Sequence, residues 1–168
     1  MSCQPGHRRS RAAFFAIAEW AVRTHQPALG LGVLLGGHCV LRTSELTTLT
    51  WSQFSWNDNF EECHISLGLT KSGARRGAAE SVTITLPWLA VAVKAIEGMP
   101  GEPVIGTNSA RFRTFFAEAL KHLGYTDWDF KPYSLRRGGA TEMWRKTGNL
   151  AQVTLRGRWG MPQRRGST

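Results

Sequence analysis

The sequence predicts a mainly helical α+β domain with one small antiparallel β-hairpin or sheet, and three observations lead there. Phe112, Phe115, Phe116, Ala119, Leu120 and Leu123 recur at the three-and-four spacing of a single helix face. Ser81-Val-Thr-Ile-Thr alternates with period two, and the turn-like Lys71-Ser-Gly-Ala-Arg-Arg-Gly separates it from a second strand-like run, Cys63 to Thr70. The chain has 168 residues, 42% hydrophobic and 20% charged, which suits one domain with its own core and is too short for a large multidomain enzyme.

In chain order, residues 1–10 read as a polar, basic tail and Arg11 to His25 as an apolar helix stopped near Pro27. A second helix follows over about Leu29 to Leu41. Trp51 to Asn59, rich in Trp, Ser and Asn, reads as a loop. The two strands of the hairpin then run over Cys63 to Thr70 and Ser81 to Leu86, with Lys71, Arg75 and Arg76 at the tip. Pro87 opens a helix that Gly98-Met-Pro-Gly closes. Ser109 is the expected cap of the Phe-rich helix, which Gly124 ends. Ser134 is the expected cap of a helix from Leu135 to Lys146, stopped by Gly148. Asn149 caps a last short helix, Leu150 to Arg156. A single domain, incomplete, is expected over 11–160, with 161–168 as a tail lacking any apolar pattern.

Lys plus Arg number 21 against 12 Asp plus Glu, a formal charge of +9, and the sequence pI is about 10.3. So basic a domain favours a polyanion, because each cation that neutralises a phosphate releases condensed counterions. The bland alternative is a soluble basic protein with no such partner.

Three cysteines, Cys3, Cys39 and Cys63, are odd in number and lack CxxC spacing, which argues against a disulfide framework and for a reducing compartment. His38-Cys39 and Cys63-His64 make a poor zinc set, since adjacent residues point in different directions; no metal is expected. The start, Arg8, Arg9 and Arg11 before Ala12 to Ala18, resembles a signal peptide until Glu19 breaks the run, and Leu29 to Leu41 is too short and glycine-interrupted to span a membrane.

Two placements of arginine stand out. Arg136 and Arg137 fall in the first turn of a predicted helix, where the positive end of the macrodipole disfavours cations by about 0.3–1 kcal/mol each. A phosphate there would be held by free N–H groups and a guanidinium fork together; alternatively both point to solvent or to a neighbouring carboxylate. Arg42 follows an apolar helix and precedes Leu46, Leu49 and Trp51, so it needs a partner. Glu45 at i+3 supplies one, either as an ordinary helix pair or to orient a guanidinium towards an anion.

The order Arg42-Thr-Ser-Glu45, hairpin Lys71-Ser-Gly, Tyr133-Ser-Leu-Arg136, then Gly157-Arg158-Trp159 resembles the tyrosine recombinases, the phage-integrase family, over about Leu29 to Trp159. The contexts L-R-T-S-E-L, T-K-S-G and S-L-R-R-G-G-A-T stand where that family has its boxes. The resemblance implies a mainly helical catalytic domain with a small sheet that breaks and rejoins DNA by phosphoryl transfer, with no metal or nucleotide cofactor. Arg42 and Arg136 would clamp the non-bridging oxygens, with Glu45 in support. Lys71 would protonate the leaving 5′ oxygen, although a solvated turn lysine is its plain reading. Arg75, Arg76 and Arg137 would touch DNA.

This chain departs from the family in three places. Tyr133 stands where His or Lys is usual, and its hydroxyl donates a hydrogen bond but is a poor base near neutral pH. Arg158 takes the place of the later His, with Trp159 beside it; either touches the phosphate or packs on the clamp. The family's nucleophilic tyrosine falls beyond the later His or Trp, and residues 160–168 contain none; Tyr125 and Tyr133 are the two tyrosines. The nucleophile is therefore unassigned, and the chain reads as a catalytic domain cut short at both ends.

Three readings follow. The first is a recombinase-like DNA-binding domain for site-specific recombination or integration, acting with a tyrosine from a partner chain or as a degenerate form. The second is a non-catalytic DNA-binding remnant of a mobile element. The third is a basic interaction module whose seven Trp and eight Phe serve a protein interface. DNA is the expected partner, with self-association on it, no membrane and no small-molecule cofactor; the expected place is inside the cell, in nucleus or nucleoid.

Overall fold

A computed structural model describes residues 6–70, 73, 77–127 and 129–159. Helix α1 (Gly6–Arg23) starts within the expected polar tail, because extending a helix already nucleated costs little. Its apolar face, Ala13, Phe14, Ile17, Ala18 and Ala21, is buried against α2 (Pro27–His38). Glycine makes that contact close: a Cβ on Gly30 would meet the Ala18 carbonyl oxygen at 2.9 Å. Helix α2 is apolar almost all round and largely buried, with Leu29, Leu31, Val33 and Leu35 all inside and Leu34 partly open. It ends three residues before the expected Leu41, where Val40 turns into the left-handed region at φ 54°.

After α3 (Thr43–Thr48), a 3-10 turn (Trp51–Gln53) leads into the sheet. The segment expected as a loop contains strand β1 (Phe54–Trp56), which pairs antiparallel with β2 (Cys63–Gly68) through Phe54↔Ile65 and Trp56↔Cys63. Three residues are too few for the period-two pattern to stand out, so long-range pairing defines this edge. Strand β3 (Glu80–Ile84) completes the order β1-β2-β3 as the antiparallel partner of β2, with Ile65 opposite Val82. Cys63 and Ile65 face the core while His64 and Ser66 alternate outward. The irregularity at Ser66/Gly68 lies where Gly68 takes φ 64°. Lys71, Arg75 and Arg76, expected at the tip, lie outside the described residues.

Helix α4 (Pro87–Ala95) begins on its proline as expected. Helix α5 (Ser109–His122) is capped one residue earlier than expected: Asn108 Oδ1 accepts from Arg111 N at 2.9 Å, which makes Ser109 the first helical residue. Helix α6 (Pro132–Thr147) likewise starts before Ser134. Pro132 needs no N–H in the first turn, and Ser134 Oγ accepts from Lys131 N at 3.1 Å. Gly148 closes α6 at φ 61°, and Asn149 caps α7 (Leu150–Gly157) through Gln152 N, both as the sequence indicates. One core joins α1, α2, α4, α5 and the inner sheet face; a smaller cluster, Val40, Ala140 and Val153, with Met143 and Trp159 packed on it, lies where α6 and α7 meet the end of α2.

Candidate functional site

The small cluster carries the charges. Val40 presents its carbonyl to two guanidinium groups: Arg136 Nη1 donates to it at 2.5 Å, and Arg158 Nη2 lies within 3.4 Å. A β-branched residue in the left-handed region is sterically costly, and here it accompanies a shared acceptor for two cations. Arg136 Nη2 donates to the Gly157 carbonyl, and the Trp159 ring lies 5.1 Å from the Arg136 guanidinium carbon. The Arg136 side chain is thereby fixed at 2% exposure.

Arg158 reaches the same place from the C-cap of α7, at φ 53°. Its Nη2 contacts Glu45 Oε2 at 2.5 Å. Its Nε lies 3.2 Å from Glu80 Oε2 as an ion pair without hydrogen-bond alignment. Glu80 also accepts from Thr70 Oγ1 at 2.5 Å, and Gly73 N donates to that hydroxyl at 3.1 Å, so one carboxylate ties the base of the hairpin to α7. Glu45 receives the Arg42 guanidinium on Oε1 and the Arg42 backbone N–H on Oε2 at 2.8 Å, closing the start of α3.

The cluster thus sets three guanidinium groups, Arg42, Arg136 and Arg158, against two carboxylates, Glu45 and Glu80. Burial, with Arg158 and Arg42 close by, lowers the Arg136 pKa to about 10. Burial also lowers that of Arg158, opposed by Glu45 and Glu80. Arg42 is the most open of the three, its side chain 29% exposed. It borders a cleft of about 260 Å³ with Ser44, Glu45, Thr48, Gln53, Leu67, Leu69 and Thr70; Thr48 Oγ1 donates to the Ser44 carbonyl, Gln53 Nε2 to the Ser66 carbonyl and Thr70 Oγ1 to Glu80.

Sequence-expected residues sort accordingly. Arg42, Glu45, Arg136, Arg158 and Trp159 meet. Trp159 packs on Arg136, one of its two expected roles. Arg158 does not face the cleft: its partners are Glu45, Glu80 and backbone carbonyls, because a buried cation must be met by carboxylates on its own scaffold. Tyr133 is 57% exposed in the first turn of α6, and Arg137 is exposed beside it. Lys71 follows Thr70 of the cleft directly in sequence and lies outside the described residues, as do Arg75 and Arg76. Glu80 and Thr70 were not singled out by the sequence. Glu80 stands as the first acid after the basic hairpin tip, a signal that could have found it.

Cys39 and Cys63 are free, buried thiols. His64 Nδ1 is engaged by Thr83 Oγ1 at 2.9 Å and His38 Nε2 by Thr85 N at 3.3 Å. Among the described residues, no group of three His, Cys, Asp or Glu converges as a metal site, and no helix is long and apolar enough to cross a membrane.

Compared with known proteins, the chain matches no family model, no curated protein and no solved structure.

Proposed function

We propose that this chain is a DNA-binding domain of tyrosine recombinase type, whose Arg42 cleft receives a backbone phosphate. The observation that carries this reading is the convergence of three arginines far apart in sequence: Arg42 and Arg158 share the Glu45 carboxylate, and Arg136 and Arg158 share the Val40 carbonyl. Three guanidinium groups against two carboxylates leave one positive charge, and the open member of the set faces a cleft with Ser44, Thr48 and Thr70 hydroxyls. A phosphate oxygen there would meet the charge of the Arg42 guanidinium. The overall charge of +9 supplies the longer-range attraction.

Strand breakage and rejoining asks more of these residues than binding does. Arg136 would have to exchange the Val40 or Gly157 carbonyl for a phosphate oxygen, Lys71 would act as general acid, and a tyrosine would come from a partner chain. The second reading, binding without cleavage, is favoured by the saturation of Arg136 and Arg158 with partners of their own.

Binding to a labelled DNA duplex tests the shared part. Affinity is expected to fall roughly tenfold or more between 50 and 200 mM salt, and Arg42→Ala to weaken it at every salt concentration. A flat salt response would remove the reading and point to a protein interface instead. Incubating the protein with DNA and a tyrosine-bearing recombinase partner chain then separates the two forms: a denaturant-resistant protein–DNA adduct that Arg136→Ala abolishes marks an enzyme, and binding without adduct marks the non-catalytic form.

A further inference from the structure

A second cavity, of about 320 Å³, opens between α1, α2, α4 and α6, and its chemistry differs from that of the cleft at Arg42. Its walls are apolar, built largely by Phe14, Leu34, Leu86, Trp88, Leu89 and Met143. Phe15 and Trp88, with ring centres 5.8 Å apart, stay 41% and 46% exposed beside it, where apolar surface of this kind gains from being covered.

Among the described residues, the charged groups on the wall are Glu142, Lys146 and Arg156, and Lys146 lies 3.5 Å from Glu142. Half-buried Arg156 donates from Nη2 to the His38 carbonyl at 3.2 Å and meets His38 Nε2 at 3.3 Å. That ring nitrogen also faces Thr85 N–H, so it serves as an acceptor and brings Arg156 no negative charge. Among the described residues, Arg156 has no carboxylate partner. A guanidinium set against an apolar cavity without a counter-ion is the arrangement that favours an anion carrying its own apolar body.

We propose that this cavity binds a small amphipathic carboxylate, with its chain against Leu34, Leu86, Trp88 and Met143 and its carboxylate on Arg156. The volume suits a ligand of on the order of ten non-hydrogen atoms, given about 30 Å³ for each water it would displace. The inference uses neither Arg42 nor DNA, so it stands or falls apart from the function proposed above.

Isothermal titration of the whole protein, without DNA, with decanoate, decanol and decyltrimethylammonium is the test. Decanoate is expected to bind one per chain, about tenfold or more tighter than decanol, because a charge-assisted pair to a guanidinium is lost in the alcohol; the cation is expected not to bind. Arg156→Gln should erase the preference for decanoate, and Leu34→Trp should fill the cavity and abolish binding, each with the native thermal midpoint checked. The comparison of decanoate with decanol uses wild-type protein, so it decides even if a variant fails to fold. No binding of decanoate at roughly millimolar concentration, equal binding of acid and alcohol, or a cavity closed by self-association that decanoate does not reverse would each overturn the proposal.

Discussion

Glu45 Oε2 and Arg158 Nη2 lie 2.5 Å apart, joining the first turn of α3 to the C-cap of α7. The Glu45 side chain is 10% exposed and that of Arg158 4%, so the pair is shielded from the solvent that weakens surface ion pairs. Because Glu45 also holds Arg42, one carboxylate positions both the open and the closed guanidinium.

Removing that carboxylate leaves buried positive charge without its partner. Glu45→Gln is expected to lower stability by about 3 kcal/mol, since stranding one member of a buried pair costs more than the pair itself contributes. Adding Arg158→Met together with Glu80→Gln should return part of the loss, because neither Arg158 nor the Glu80 it pairs with is then left as a buried charge. Urea unfolding of the single and triple variants checks this; a loss below about 1 kcal/mol for Glu45→Gln would mean that water reaches the pair.

Arg42 and Arg136 should part company when each is changed. Arg42 is partly open at the cleft, whereas Arg136 spends both Nη groups on the Val40 and Gly157 carbonyls. Arg136→Lys cannot reproduce that fork and leaves a buried carbonyl without a donor, a cost of about 1–3 kcal/mol in stability. Arg42→Ala is expected to cost less in the fold and more in DNA affinity. Parallel thermal melts and DNA titrations of the two variants distinguish them, and equal effects on both measurements would contradict the separation of roles.

The buried thiols give a pH dependence whose sign is fixed. Burial raises Cys39 from 9.0 to about 11 and Cys63 from 9.0 to about 12. The unfolded chain therefore loses these protons first as pH rises. Their contribution to stability is fully present below pH 9 and is lost as pH climbs towards 11 and 12. Arg136, lowered to about 10, has the opposite sign above that pH, so the window for the thiols is pH 9 to 10. Over that window the wild type should lose stability relative to a Cys39→Ala, Cys63→Ala variant. Neither thiol of the native protein should react with iodoacetamide at pH 8, and labelling at both should appear with unfolding.

The periodic elements were legible because their signals are local. The Phe-rich face of α5, the alternation of β3 and the Asn149 cap each need only a few neighbours in sequence. Strand β1 was not legible, since three residues gain their conformation from Ile65 and Cys63 across the sheet. Two helices began before the serine that local rules select: Asn108 offered a competing cap to Ser109, and Pro132 opened the first turn ahead of Ser134, whose hydroxyl accepts from Lys131 N instead. The Arg42–Glu45 pair was visible at i+3, and the resemblance gathered Arg136 and Arg158. Glu80 and Val40 were missed because their partners are distant: a carboxylate ending a hairpin and a carbonyl in a left-handed turn become site groups only once α7 folds back on them.

That fold-back depends on how closely α2 and α6 approach, and Gly139 sets the distance. A Cβ there would run into the Gly37 carbonyl oxygen, a backbone atom that cannot rotate aside, whereas at Gly148 a Cβ would meet nothing within 4 Å. Gly139→Ala must therefore push α6 away from α2, moving Leu135 and Arg136 with it. Overpacking of this kind is expected to destabilise the domain by about 3 kcal/mol, the upper part of the usual range, because the obstacle is main chain. The displacement should also weaken the Arg136 hydrogen bond to Val40, the carbonyl that Arg158 shares, and through the Arg158–Glu45 pair disturb the carboxylate that holds Arg42, so the variant is expected to lose DNA affinity even at temperatures where it remains folded. Gly124→Ala, in the left-handed position closing α5, supplies the control: its cost, about 1 kcal/mol, is conformational and leaves the arginines in place. Thermal unfolding and DNA titration of the two alanine variants give the answer, and equal losses in both would show that the approach of α2 to α6 does not govern the cluster.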